Sequence, residues 1–214
     1  MAEKEKIDKK EHLLNVAERV FGEMGYDGAS TRLLAQEAGM NMAMLNYYFG
    51  SKDGLLKAVV ERRMSSTRKE FEMIAHQDMP CWEKINQIVQ LYVSRVATSK
   101  YFHKIIFREI SVIRTGSEVT DFVLENLYQN VMLVHQVLAE GIRKGEFREV
   151  DIEMTVAGIF GTVNYLINSR RLASKILKMD LMDDQVLQEE MKPRLLAYLQ
   201  DSLKTHLLKN ETEK

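Results

Sequence analysis

A chain of 214 residues, 45% apolar and 29% charged, is long enough for one large core or two joined modules, and its balance excludes a disordered protein. A net charge of −1 excludes a general nucleic-acid coating protein, and no apolar run reaches the roughly eighteen residues that a transmembrane helix needs. The lone cysteine, Cys81, excludes an intramolecular disulfide and fits a reducing cytoplasm, and the charged stretch 1–11 lacks the apolar centre of a signal peptide.

Only Gly116 lies between Gly54 and Gly141, and the prolines are Pro80 and Pro193, so long stretches carry no strong breaker. Nothing alternates with period two over a strand's length, and the expected class is all-α with about nine helices. The first helix is expected over 8–24, with Leu13, Ala17, Val20, Phe21 and Met24 as its buried stripe and Gly25 at the position of a left-handed cap. Ser30 or Thr31 can cap a short second helix, Thr31–Ala38, which Gly39 ends. A third begins after the capping residue Asn41 and runs from Met42 through Phe49. Two short helices joined by a tight glycine turn, with small Ala35 where they must approach, form a helix-turn-helix pattern. In such a unit the residues at the start of the second helix reach base edges in the major groove.

The fourth helix is expected from Lys52 to before Pro80, carrying Leu55, Leu56, Val59, Val60, Met64, Phe71 and Ile74 inward. Trp82 opens a fifth with Ile85, Ile88, Val89, Tyr92 and Val96, and a sixth runs from Tyr101 to Ile113, closed by Gly116. A seventh spans Ser117–Lys144, an eighth runs from the cap Asp151 to Met179, and the last covers Asp184–Leu208, where Pro193 should kink or split it. Between Gly28 and Lys69, Arg32, Lys52, Lys57, Arg62, Arg63, Arg68 and Lys69 outnumber Glu37, Asp53 and Glu61. This excess suits a phosphate backbone, although a solvated helix face more often carries such charge.

The stretch 30–55, STRLLAQEAGMNMAMLNYYFGSKDGL, resembles the DNA-binding signature of the TetR family of bacterial regulators. The match lies in Thr31, Ala35, Ala38-Gly39, Leu45, Tyr47-Tyr48-Phe49, Ser51-Lys52 and Leu55, with Phe21 and Gly25-Tyr26 upstream. Asn41 stands for the usual serine cap, Met44 where threonine is frequent, and Asn46 in place of a tyrosine. The resemblance implies a DNA-binding domain over 1–52 and a helical ligand-binding and dimerisation domain over 53–214. It further implies a homodimer on a pseudo-palindromic double-stranded operator, acting as a repressor under a small apolar or amphipathic effector, with no membrane partner and no cofactor.

Roles follow from side-chain chemistry. Asn46 can offer a bidentate amide to adenine, and Met42, Ala43 and Met44 apolar contacts to thymine methyls. Thr31, Tyr47, Tyr48 and Lys52 suit phosphate, and Arg32 and Asn41 complete the expected DNA-binding set. Phe102, His103, Phe107, Met132, His135, Phe160, Asn164 and Tyr165 are candidates for an effector cavity, although each also fits an ordinary core. Gly158 and Gly161, with Tyr198, Leu199 and Leu203, are the candidate dimer contacts; they also fit packing within one chain.

Two other classes compete. A helical small-molecule enzyme has little support: His12, His76, His103, His135 and His206 are scattered without metal-ligand spacing, and no phosphate loop or nucleophile motif occurs. Cys81 has no local partner for nucleophilic chemistry. An interaction protein that does not bind DNA leaves the Thr31–Lys52 pattern unexplained.

Overall fold

A computed structural model of the chain describes residues 2–111 and 117–209, which form helices and no strand. The helices are α1 (Ala2–Gly28), α2 (Thr31–Glu37), α3 (Met42–Phe49), α4 (Lys52–Ala75), α5 (Cys81–Thr98) and α6 (Lys100–Ser111). They continue as α7 (Glu118–Arg143), α8 (Ile152–Asn168), α9 (Arg170–Leu177), α10 (Asp184–Val186) and α11 (Lys192–Leu207), with a π-helical turn over Leu187–Met191. The all-α class expected from the sequence is what the chain adopts.

Three boundaries differ from expectation. Helix α1 begins earlier, and Gly25, at φ 76 and ψ 171, breaks it where a left-handed cap was expected. The helix expected from Asp151 to Met179 is two helices, because Ser169 leaves the helical basin at φ −109, ψ 34. No glycine or proline marks that break. The last helix is interrupted just ahead of Pro193: the Lys192 N–H reaches back five residues to Leu187 O, and Pro193, which has no N–H to offer, sits in the first turn of α11. The expected ending of the sixth helix at Ile113, and Gly116 after it, lie outside the described residues.

The described residues divide into two compact units. The first holds residues up to Thr67 together with Lys100–Tyr128, and the second holds Arg68–Ser99 and the chain from Gln129. In the first, α1 packs on α2 and α6, and α2 on α3. Its core gathers Leu13, Phe21, Leu34, Leu45, Leu55 and Val59 with Phe102, Ile105 and Val123. Helices α1 and α6 touch at Gly22, where a Cβ would stand 2.7 Å from Cβ of Tyr101, so any larger residue would force them apart. Arg108 of α6 donates to the carbonyls of Phe21, Gly22 and Glu23 at 3.3, 3.1 and 3.4 Å. These carbonyls lie ahead of the Gly25 break, where helical partners run out. Buried Glu18 accepts from Arg63 Nε and Nη2, both at 2.8 Å, and from Arg62 Nη2 at 3.0 Å, tying α1 to α4.

In the second unit α5 packs on α8 and α11, and α8 on α9. Its core runs through Ile85, Val93, Leu138, Ile159, Val163, Leu195 and Leu203. Buried Lys84 donates to the carbonyl of Ala75 at 2.8 Å, completing the end of α4, and to Glu140 Oε2 at 3.1 Å. Glu140 also pairs with Lys144 at 2.6 Å.

Candidate nucleic-acid interface

Local chemistry sets the α2–α3 pair. Ser30, rather than Thr31, caps α2: it is extended at φ −71, ψ 152 and its Oγ accepts from Leu33 N at 3.1 Å. Gly39 turns the chain at φ 63, and Met40 N donates to Ala35 O at 2.9 Å. Asn41 caps α3, its Oδ1 accepting from Met44 N at 2.8 Å. The carboxamide oxygen thereby spends one of its two lone pairs on the helix, and the NH₂ is left to donate to a DNA phosphate.

Helical spacing then sorts α3 into faces. Leu34, Ala35 and Leu45 are buried, and Phe49 is half-buried against the same core. Met42, Ala43, Asn46 and Tyr47 are exposed together at steps of one and three residues, Met42 at 47% and Tyr47 at 70%. Met44 and Tyr48 lie half-buried between the two faces. The rings of Tyr47 and Tyr48 meet edge-on, 5.3 Å apart, which holds the two phenols side by side. Thr31 is half-buried and Arg32 exposed at the start of α2.

Lys52 is engaged from within. Its ammonium donates to the carbonyl of Tyr26 at 3.1 Å and stands 4.0 Å from the centre of that residue's ring, while the Tyr26 hydroxyl donates to the Asp53 carboxylate. An ammonium has three donors, so this clasp leaves it able to bind phosphate. Sequence reasoning missed Tyr26 in this role, because a residue 26 positions away carries no local signal. It also missed Lys10, whose Nζ lies 5.7 Å from the ring centre of Phe49 at the end of α3.

The effector candidates are distributed between the units. Phe102, His103 and Phe107 lie in the first. Phe102 is buried with the His103 ring edge-on at 5.7 Å, and Phe107 is exposed. Met132, His135, Phe160, Asn164 and Tyr165 lie in the second. There Phe160 and Asn164 meet on Tyr92, which the sequence did not single out for this site. The Phe160 and Tyr92 rings are 4.7 Å apart, and Asn164 Nδ2 donates to the Tyr92 hydroxyl at 3.3 Å and to Phe160 O at 2.8 Å. Burial holds the Tyr92 phenol protonated, its pKa well above the usual value, against the smaller opposing effect of Asn164. Met132 is half-buried, His135 lies 3.5 Å from Glu153, and Tyr165 is exposed beside Leu166 and Leu177.

Of the dimer candidates, Gly158, Gly161 and Tyr198 are exposed on α8 and α11. Leu199 and Leu203 instead pack in the second unit's own core, exposed by only 3% and 7%, and form the floor of a groove between those helices.

Comparison with known proteins agrees with the geometry. Residues 13–59 match the model described as bacterial regulatory proteins, tetR family, and residues 78–168 match one described as tetracyclin repressor-like, C-terminal domain. The fatty acid metabolism regulator protein of Bacillus subtilis is 23% identical over 168 residues, covering 78% of this chain and 85% of that one. The solved structure of the transcriptional regulator FadR from Bacillus subtilis with stearoyl-CoA superposes with a TM-score of 0.67 at 21% identity, over 88% of this chain and 96% of that one. The TetR family regulator PfmR from Thermus thermophilus gives 0.71 at 19% identity, over 92% and 96%. At these identities the structural likeness establishes the fold.

Proposed function

The chain belongs to the TetR family of bacterial DNA-binding transcriptional regulators, and from that membership we propose that it is a cytoplasmic repressor that binds a pseudo-palindromic operator as a homodimer and leaves it when an amphipathic effector binds. The observation that carries this reading is the face of α3 on which Met42, Ala43, Asn46 and Tyr47 are exposed together. Residues 1–52 read DNA, and residues 53–214 hold the effector and the second copy. Asn46 pairs with adenine, Met42, Ala43 and Met44 meet thymine methyls, and Thr31, Arg32, Asn41, Tyr47, Tyr48 and Lys52 hold the backbone.

An acyl thioester is the effector class we favour. The FadR neighbour was solved with stearoyl-CoA and another neighbour, AibR, with isovaleryl coenzyme A and operator DNA. The group of Tyr92, Phe160 and Asn164 is where two of the expected effector residues come together, two aromatic rings beside one amide. The response is a population shift: an effector that binds one state more tightly lowers operator affinity by that difference.

Fluorescence anisotropy with DNA from upstream of the chain's own gene, at fixed salt with unrelated competitor, tests the reading. Specific binding that stearoyl-CoA weakens is the expected result, and binding no tighter than to the competitor overturns it. Lys52→Ala should weaken binding to all sequences alike and reduce the salt slope by about 0.9 per lost phosphate contact. Lower affinity with an unchanged slope would assign Lys52 to the Tyr26 clasp alone.

Cys81 is placed as a packing residue of the second unit. The thiol is fully buried, and burial first, then the charges of Glu146 and Glu140, push its pKa up to about 11. A maleimide should therefore label Cys81 only after unfolding; rapid labelling of the folded chain at neutral pH would contradict this.

A further inference from the structure

We propose that two copies of this chain meet with their α11 helices crossing antiparallel at Tyr198, so that Arg194 of each copy faces Asp201 of the other. The inference rests on the dimer reading above and adds its register. Helix α11 has two opposed stripes. Leu195, Leu199, Leu203 and Leu207, four apart, turn into the second unit's core. Arg194, Tyr198, Asp201 and Thr205, at steps of four, three and four, are exposed.

Tyr198 is the centre of that outer stripe. It is 60% exposed and lines both grooves that run between α8 and α11, as does Thr162 across from it on α8. On the same helix as Thr162, a methyl group placed on Gly158 or Gly161 would meet nothing within 4 Å. The backbone of α8 is thus open to close approach by another helix.

Charge then chooses the occupant and its direction. At about 1.5 Å per residue, Arg194 lies roughly 6 Å to one side of Tyr198 and Asp201 roughly 4.5 Å to the other. Asp201 has no partner among the described residues, and Arg194 donates from Nη1 only to Leu177 O at 3.4 Å and Met179 S at 3.5 Å. A parallel crossing would set arginine against arginine and aspartate against aspartate. An antiparallel crossing turns both into attractions, and twofold symmetry makes each occur twice. A foreign acidic or basic partner complements only one end of the stripe; a second copy complements both.

Sedimentation equilibrium of the full chain tests this with Arg194→Glu, Asp201→Arg, the double variant and Tyr198→Arg. Each single charge reversal should weaken the dimer about tenfold or more, and the double variant should return to within about threefold of wild type. That rescue also shows that the variants fold. Reversals without effect, or a double variant weaker than either single, overturn the antiparallel register while a wild-type dimer still stands. A wild-type dimer untouched by Tyr198→Arg places the contact on another face and overturns the proposal. A wild-type chain that sediments only as the 24.8 kDa species removes the dimer reading itself.

Discussion

Glu18→Ala should lower the unfolding free energy by about 3 kcal/mol and the melting temperature by roughly 6–12 °C. The carboxylate is 7% exposed, and it is shared by Arg62 and Arg63 of α4. Removing it takes the carboxylate from Arg63 and leaves Arg62 with the Glu11 carboxylate alone. Arg62 and Arg63 are 21% and 37% exposed and keep some water, which sets the effect at the low end for a broken buried pair. Arg62 also keeps its bonds to Glu11 and Asn15, each at 2.9 Å. Glu18→Gln, which retains one acceptor, should cost less than the alanine. Thermal melts followed by circular dichroism decide it: a shift of under about 2 °C for Glu18→Ala would show that the cluster adds nothing net. Operator affinity should fall with stability, since the same cluster holds α1 and α4 together within the unit that presents α3.

Lys84→Ala should be of similar size, about 3 kcal/mol, for a different reason. The lysine has its stem in the core and its ammonium on the Ala75 carbonyl and Glu140. Truncation leaves the half-buried Ala75 carbonyl without its donor and opens a cavity, while Lys84→Met fills the space and should cost about 2 kcal/mol. Glu140 adds a pH dependence. Hydrogen bonds from Lys144 and then Lys84 hold its carboxyl below its ordinary value of 4.5, despite opposing desolvation. A depressed folded pKa contributes stability that is full above 4.5 and is lost as pH falls through the lower folded value. Glu140→Gln should therefore lose stability at neutral pH and show a flatter decline in acid than wild type, as urea titrations from about pH 7 to about pH 3 would report. Parallel curves for the two proteins would refute the assignment.

The helix-turn-helix was legible because its determinants are local. Ser30, Gly39, Asn41 and the apolar spacing of Leu34, Leu45 and Phe49 each act within one turn of chain. What escaped the sequence is long-range. The Ser169 break has no glycine or proline to announce it, and the clasp of Lys52 on Tyr26 joins residues far apart in the chain. Residue type alone nominates the effector candidates, and it does not separate Phe102, packed in one core, from Phe160, which meets Tyr92 in the other unit. Leu199 and Leu203 share the helix of Tyr198 but not its direction, and only the register of α11 against the core separates them.

The closing of α1 by Arg108 bears on the order in which the chain is made. The carbonyls of Phe21, Gly22 and Glu23 leave the ribosome more than eighty residues before the guanidinium that satisfies them. Phe102, Ile105 and Val123, which complete the same core, emerge equally late. At about 5–20 residues per second, the helix-turn-helix waits several seconds with one wall of its core open to water.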